Sequence, residues 1–189
     1  MNSMTEVRAA RAEDAPAIRA VLAACFPTEA EARLVELLRA AGHLPVSLVA
    51  EEAGRIIGHV AFSPVSQGPD AVVGAGPGGT AAGGAAACGT LRGAGLAPLA
   101  VLEAHRKRGV GAELVRAGLE ACTTTGFEWI VVLGDPAYYA RFGFRPAAAA
   151  GLHDEYGGGP AFQVLESRPG SLPAREGLVR YAPEFASLR

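Results

Sequence analysis

The chain has 189 residues, with 17 Lys and Arg against 19 Asp and Glu for a formal net charge of −2, and half of its residues are hydrophobic. That is enough apolar material for the core of an ordinary domain, and the near-neutral balance speaks against a protein that grips phosphate backbone through a basic face, so no nucleic-acid partner is expected. No apolar run approaches the roughly 18 residues that span a bilayer, and Met1 to Arg11 has no apolar leader core, so a cytoplasmic protein without a membrane partner is expected.

Glu6 to Ala10 reads as a short strand. Behind it, Glu13 or Asp14 caps an amphipathic helix whose apolar positions, Ile18, Val21, Leu22 and Cys25, recur three and four apart. Pro27 ends that helix. Thr28 and Glu31 stand at capping-box spacing at the head of a second helix running to Ala41, with Leu34, Leu37 and Leu38 on one face and Gly42 as its stop. Leu48 to Glu51 and Arg55 to Phe62 are β-rich runs joined through Glu52-Ala53-Gly54, which predicts an antiparallel hairpin. From Ser66 to Gly93, Gly, Ala and Pro dominate and almost no large apolar side chain offsets the ordering entropy. This stretch reads as a surface excursion, a loop insertion at about 66–94 within a single domain spanning 1–189, and more readily a tolerated insertion than a lid.

Leu96 to Leu102 has the continuous apolar character of a buried strand. A basic turn leads to a helix from Val110 to Cys122, with Leu114, Val115 and Leu119 on one face, and Gly126 closes it before a second apolar strand, Trp129 to Leu133. Strand, crossover helix and strand make these two strands parallel neighbours. Asp135-Pro136 then opens a short helix to about Phe142, Phe144 to Pro146 starts a strand, Gly157 to Pro160 is a loop, and Ala161 to Glu166 is a last strand. The order predicts an α/β fold with a mixed central sheet flanked by helices. Cys25, Cys88 and Cys122 are odd in number, far apart and without a CxxC pair or a histidine at ligand spacing, so unpaired thiols and no metal site are expected.

The chemistry concentrates where Leu96 to Val101 runs through Leu102-Glu103-Ala104-His105 into Arg106-Lys107-Arg108-Gly109-Val110-Gly111-Ala112. A strand feeding a helix through a turn with Gly at two alternate positions leaves backbone N–H groups free at the positive end of a helix dipole. Such a turn suits a phosphate, which approaches the backbone where Gly109 and Gly111 lack side chains, with Arg106, Lys107 and Arg108 at the rim. It is not a P-loop, because no Gly-Lys-Ser/Thr follows, and it lacks the third Gly of the dinucleotide fingerprint.

Arg106-x-x-Gly109-x-Gly111 on a βα turn resembles the Arg/Gln-x-x-Gly-x-Gly/Ala motif of the GNAT N-acetyltransferases. The segment Leu133 to Phe144, with Gly134-Asp135-Pro136-Ala137-Tyr138-Tyr139-Ala140-Arg141-Phe142-Gly143, and the tail from Ala161 to Phe185 resemble a bacterial subgroup of predicted acetyltransferases. The resemblance implies a GNAT-like acyl-CoA N-acyltransferase fold and acetyl-CoA as co-substrate. It implies that Leu99, Ala100 and Val101 hydrogen-bond the pantetheine arm as an added strand would. The amides of Arg108, Gly109, Val110, Gly111 and Ala112 would hold the diphosphate, with Arg106 at the family's Arg/Gln position and Lys107 or Arg108 free for other phosphates. Tyr139 matches the family tyrosine four residues before the Gly of the Gly-Phe pair and would protonate the departing thiolate. Tyr138 beside it reads as a packed aromatic.

No general base carries over, because Ala94-Gly95 stands where relatives place a glutamate. Glu103, His59, His153, Asp154 and Glu155 remain candidates, as does a water chain to bulk. The leading expectation is an N-acetyltransferase in which a primary amine, of a small molecule or a peptide, attacks the thioester directly. The alternatives are an idle acyl-CoA-binding sensor or scaffold and, more remotely, a nucleotide-binding domain. The sequence leaves the acceptor and the oligomeric state open, a homodimer included.

Overall fold

The structure, a computed structural model, describes residues 4–67, 92–173 and 177–188. Strand β1 (Glu6–Ala9) precedes two helices, α1 (Ala15–Cys25) and α2 (Ala30–Ala40), and then a hairpin of β2 (Val46–Glu52) and β3 (Arg55–Gln67). The hairpin turns on Ala53 and Gly54, both at positive φ (51° and 75°), which matches the twist of the strands it joins. Strand β4 (Gly93–Val101), helix α3 (Val110–Thr124) and strand β5 (Trp129–Leu133) form the expected strand, helix and strand unit, with β4 and β5 parallel. The short helix α4 (Pro136–Tyr139) follows, then β6 (Arg145–Pro146), β7 (Leu152–Asp154), β8 (Phe162–Glu166) and β9 (Gly177–Arg180).

The main sheet runs β1-β2-β3-β4-β5-β8-β6, and β9 pairs with the end of β3 and with β7. The mixed sheet flanked by helices is therefore as expected, and several boundaries differ. Strand β3 continues through Ser66 and Gln67 because β9 gives those residues a partner, and β4 begins at Gly93 because β5 does the same for Gly93 to Gly95. Of the segment expected as a surface excursion, residues 68–91 lie outside the described residues, as does Cys88. The second helix starts at Ala30 rather than Thr28, with Thr28 Oγ1 accepting from the Ala30 amide at 3.3 Å. His153 and Asp154, expected in a loop, belong to β7.

Alternation along the hairpin divides the core between two faces. Leu48, Ala50, Val60 and Phe62 face α3, through Leu114, Val115 and Cys122, while Val49 and Ala61 face α1 and α2, through Ile18, Val21, Leu22 and Val35. A further cluster joins Leu34 and Leu38 of α2 to Trp129, Val131, Phe162 and Val164, and the chain's tail closes it with Tyr181 and Phe185. Cys122 is fully buried and burial pushes its thiol up to about 12, and both described cysteines are unpaired, so Cys122 packs as a small apolar group.

The junction of β1 and α1 is held by charge. Arg8 donates to both carboxylate oxygens of Asp14, at 2.7 and 3.0 Å, and to Glu51 at 2.8 Å. Asp14 stands at the head of α1 as expected, yet its carboxylate turns back to accept from the Arg11 amide at 2.7 Å and does not cap the helix. Arg8 first, and the Arg11 amide after it, hold Asp14 down at about 2 against the upward push of burial. Its folded value lies below the unfolded one, so the stabilisation is fully present above about pH 4 and is lost as pH falls toward 2. The stability gap between wild type and Asp14→Asn in urea unfolding is therefore expected to be on the order of 2 kcal/mol above pH 5 and to shrink toward pH 2. A gap that does not change with pH would show that the pair contributes nothing through ionisation.

Candidate active site

Strands β4 and β5 part company midway. They pair from Gly93 with Trp129 to Leu96 with Val132, and β5 ends one residue later at Leu133, which is paired to Phe162 of β8. Strand β4 runs on to Val101, bonded to β3 alone, so from Ala97 onward its other edge faces no strand among the described residues. A bulge marks the point of divergence: Val60 pairs with Leu99 and Phe62 with Leu96, which leaves β4 one residue longer than β3 across that interval. The result is a wedge-shaped opening with β4 as one wall.

The three residues expected to bind along this wall do not present it equally. The Leu102 amide donates to Ile57 of β3 at 2.9 Å, so by antiparallel alternation the backbone groups of Ala100 also turn toward β3. Those of Leu99 and Val101 turn to the open edge. The Val101 carbonyl already accepts a bond of 2.9 Å from Nε of Arg106. Arg106 thereby ties the turn to the strand, and the open edge keeps the Val101 amide and both groups of Leu99.

Beyond Val101 a single 3-10 turn, Glu103–His105, reverses the chain, and Gly109 at φ 91° begins α3. Lys107 at φ 60° is the only other left-handed residue of this turn. The first bond within α3 runs from the Glu113 amide to the Gly109 carbonyl at 3.0 Å, which leaves the amides of Val110, Gly111 and Ala112 unused by the helix. They point, at the positive end of the helix, toward the outer end of the wedge. Arg108, expected to be free for phosphate, is engaged instead: it donates to Glu52 at 2.6 Å and meets Nδ1 of His105 at 3.0 Å. Arg108 in turn holds the Glu52 carboxyl below its ordinary range. Its side chain fastens the turn to the hairpin, while Lys107 stays exposed at the rim.

The second wall comes from α4. Asp135 caps it by accepting from the Ala137 amide at 2.9 Å, with Pro136 in the first turn. Tyr139 is 7 % exposed, its ring laid on the backbone of Gly134, where no side chain would fit, and edge-on to Tyr138 and Phe144. Burial first, and Tyr138 after it, push the Tyr139 phenol well above its ordinary range, which keeps the proton on the oxygen. Tyr138 is half-buried and reaches α3, its hydroxyl standing 3.0 Å from the point a Cβ on Gly111 would occupy. Sequence spacing alone reads it as a packed aromatic, because neighbours on a helix point different ways and nothing in the sequence says which way α4 lies against α3.

The candidate bases are scattered. His59 is fully buried, with Nε2 2.9 Å from the Ser47 hydroxyl, and burial, helped by Arg39, pushes it down to about 3, so it is neutral at physiological pH. Asp154 accepts from the amides of Tyr156 and Gly158, at 2.8 and 2.9 Å, and Glu155 from that of Tyr181 at 3.0 Å. These carboxylates shape the tail loop. Glu103 and His153 are exposed. Tyr181, in the tail, lies with its ring against Gly95, 2.8 Å from where a Cβ would stand, and its hydroxyl is buried without a partner among the described residues. A glutamate at position 95 would have no room beneath that ring.

The family model of the Acetyltransferase (GNAT) family matches residues 15–144. Over 175 residues the chain is 41 % identical to the uncharacterized N-acetyltransferase YhbS of Escherichia coli K12, covering 91 % of this chain and 93 % of that one. The crystal structure of E. coli YhbS in complex with CoA superposes with a TM-score of 0.83 at 38 % identity, over 98 % of this chain and 94 % of that one. A GNAT family acetyltransferase from Brucella melitensis, in complex with acetyl-CoA, gives 0.72 at 35 % identity, over 97 % and 99 %.

Proposed function

We propose that this chain, which belongs to the acetyltransferase (GNAT) family, transfers the acetyl group of acetyl-CoA to a primary amine by direct attack on the thioester. The observation that carries this reading is the unpaired edge of β4 running into the free amides of α3, a strand-shaped slot ending in an anion site. The residues fit the CoA and the acetyl-CoA held by the two structural neighbours: Leu99 and the Val101 amide offer a ladder for an amide-bearing arm, and Val110, Gly111 and Ala112 with Gly109 offer donors for a diphosphate.

Acetyl-CoA supplies an activated acyl group and a leaving thiolate. The chain's own part is to align, polarise and protonate. Amides on the open edge of β4 orient and polarise the carbonyl, so that the amine forms the new C–N bond as the C–S bond breaks. Tyr139 then donates its phenolic proton to the sulfur, and regains one from solvent after the product leaves. The incoming ammonium gives one proton to water before it attacks, and the nitrogen gives a second to water as the C–N bond forms, in keeping with the backbone bonds that already occupy Asp154 and Glu155. The acceptor is a small molecule or a peptide bearing the amine.

The test is calorimetric titration with acetyl-CoA, CoA, ATP and NAD, repeated on Gly111→Leu. A leucine there enters the space bounded by Tyr138 and by Val101 Cγ2, 3.6 Å from a Cβ at that position. CoA and acetyl-CoA are expected to bind and ATP and NAD not, with affinity reduced at least about tenfold in the variant and an unchanged melting point. Equal binding of acetyl-CoA by the variant would move the anion site elsewhere, and no binding by the wild type would end the reading. Stoichiometric CoA binding without transfer to any of a broad set of amines would favour a sensor or scaffold.

A further inference from the structure

Three elements converge where α3 begins. The end of β4 contributes Val101, α3 contributes Gly111, and α4 contributes the Tyr138 hydroxyl; that hydroxyl and Val101 Cγ2 lie 3.0 and 3.6 Å from a single point, the position of the Cβ that Gly111 lacks. The hydroxyl therefore lies against the first turn of α3, whose amides the helix leaves unused, at a place that a side chain on Gly111 would crowd. Its ring is fixed on both sides: Tyr139 packs edge-on at 5.0 Å between centroids, and the Arg141 guanidinium stands 4.6 Å from the ring centroid while its Nε donates to the Tyr138 carbonyl at 3.3 Å. Arg116 reaches the same aromatic group, 5.6 Å from the Phe142 ring.

We infer that Tyr138 is a ligand of the diphosphate of CoA, its hydroxyl donating to the same phosphoryl oxygens that the α3 amides reach from the other side, with Arg141 holding its ring in place. This rests on the acetyl-CoA reading above and adds a residue that packing alone would not explain. Backbone N–H groups only donate, and the phenol O–H can donate beside them, so an acceptor with several lone pairs satisfies all of them at once. A phosphoryl oxygen has them, and Arg141 and Arg116 add the positive charge that two phosphates call for. Burial pushes the phenol up and Arg141 counters that push, so the hydroxyl keeps its proton at neutral pH. Tyr138 and Tyr139 thus divide the work of one short helix: one side chain turns to the diphosphate and the other to the thioester.

The test measures acetyl-CoA and 3′-dephospho-CoA affinities by calorimetry for the wild type, Tyr138→Phe and Arg141→Ala. Phe keeps the ring, its contact with Tyr139 and its place beneath Arg141, so a folding defect is not expected and thermal melting checks it. Tyr138→Phe is expected to weaken both ligands by the same factor, roughly 10-fold, as befits loss of one hydrogen bond to a charged group shared by both. Arg141→Ala, which frees the ring, should weaken both by a smaller factor. Unchanged affinity in Tyr138→Phe overturns the inference, and so does a loss confined to acetyl-CoA, which would place the hydroxyl on the 3′-phosphate or the acetyl group, the two features that 3′-dephospho-CoA lacks. A wild type that binds neither ligand overturns the acetyl-CoA reading itself and is told apart by needing no variant.

Discussion

Tyr139→Phe is expected to lower the rate of acetyl transfer roughly 100-fold while leaving acetyl-CoA affinity within about twofold. The two quantities separate because the phenol oxygen matters only as the C–S bond breaks. A thiolate leaving a thioester needs a proton, and a group that gives one in the transition state contributes to turnover without contributing to binding. Burial by Gly134, Tyr138 and Phe144 keeps that proton in place at every pH where the protein is handled, since it pushes the phenol above its ordinary range. The ring itself is core, 7 % exposed, and Phe retains it, so the melting point should not fall. The measurement is CoA thiol release with any primary amine that supports turnover, together with calorimetry on both proteins. A parallel loss of rate and affinity would make Tyr139 a binding residue, and an unchanged rate would pass the role of acid to another group or to water.

Much of this site was legible in the sequence because it is built from local patterns. Continuous apolar runs at Leu96 and Trp129 flank a helix with a 3.6-residue period, which is sufficient for a parallel pair, and Gly109 and Gly111 mark the turn between strand and helix whatever surrounds them. What escaped depends on partners distant in the chain. Arg108 was available to a phosphate until Glu52, 56 residues away, accepted its guanidinium. The open edge of β4 comes from a register change against β3 and the early end of β5, and neither strand reveals where its neighbour stops. Strand β9 has four residues and no alternation to mark it, and it exists because the end of β3 and β7 both lack a neighbour without it. Ala100 shows the limit of carrying a motif over by position: it lies between Leu99 and Val101 in one strand, and alternation turns its backbone toward β3 and away from the open edge. The two tyrosines make the same point, since a spacing rule selects Tyr139 but is silent on what the Tyr138 hydroxyl faces.

The platform beneath that site gives the largest expected effect on stability, at Gly118. In an exposed helix interior Gly→Ala stabilises by about 1 kcal/mol, because alanine has the better helix propensity. Gly118 lies in the middle of α3 on its buried side, and a Cβ there would overlap the Phe62 ring of β3. Phe62 is fully buried among Leu114, Val115, Cys122 and Ile130, so its ring has no open space to move into. The helix must lift from the sheet or the ring must leave its rotamer, each costing roughly 1–3 kcal/mol. Gly118→Ala is therefore expected to be destabilising by up to about 2 kcal/mol net of propensity, and Gly118→Val by several kcal/mol, with a matching fall in melting temperature. Lifting α3 also moves Val110 to Ala112 away from the end of β4, so the alanine variant should bind acetyl-CoA more weakly at temperatures where it is still folded. The decisive comparison is a double-mutant cycle with Phe62→Leu, since a smaller side chain opposite the new methyl should recover part of the loss if the overlap is its cause. A Gly118→Ala protein that melts at or above the wild-type temperature would mean that helix and sheet are not in the close contact that positions the first turn of α3.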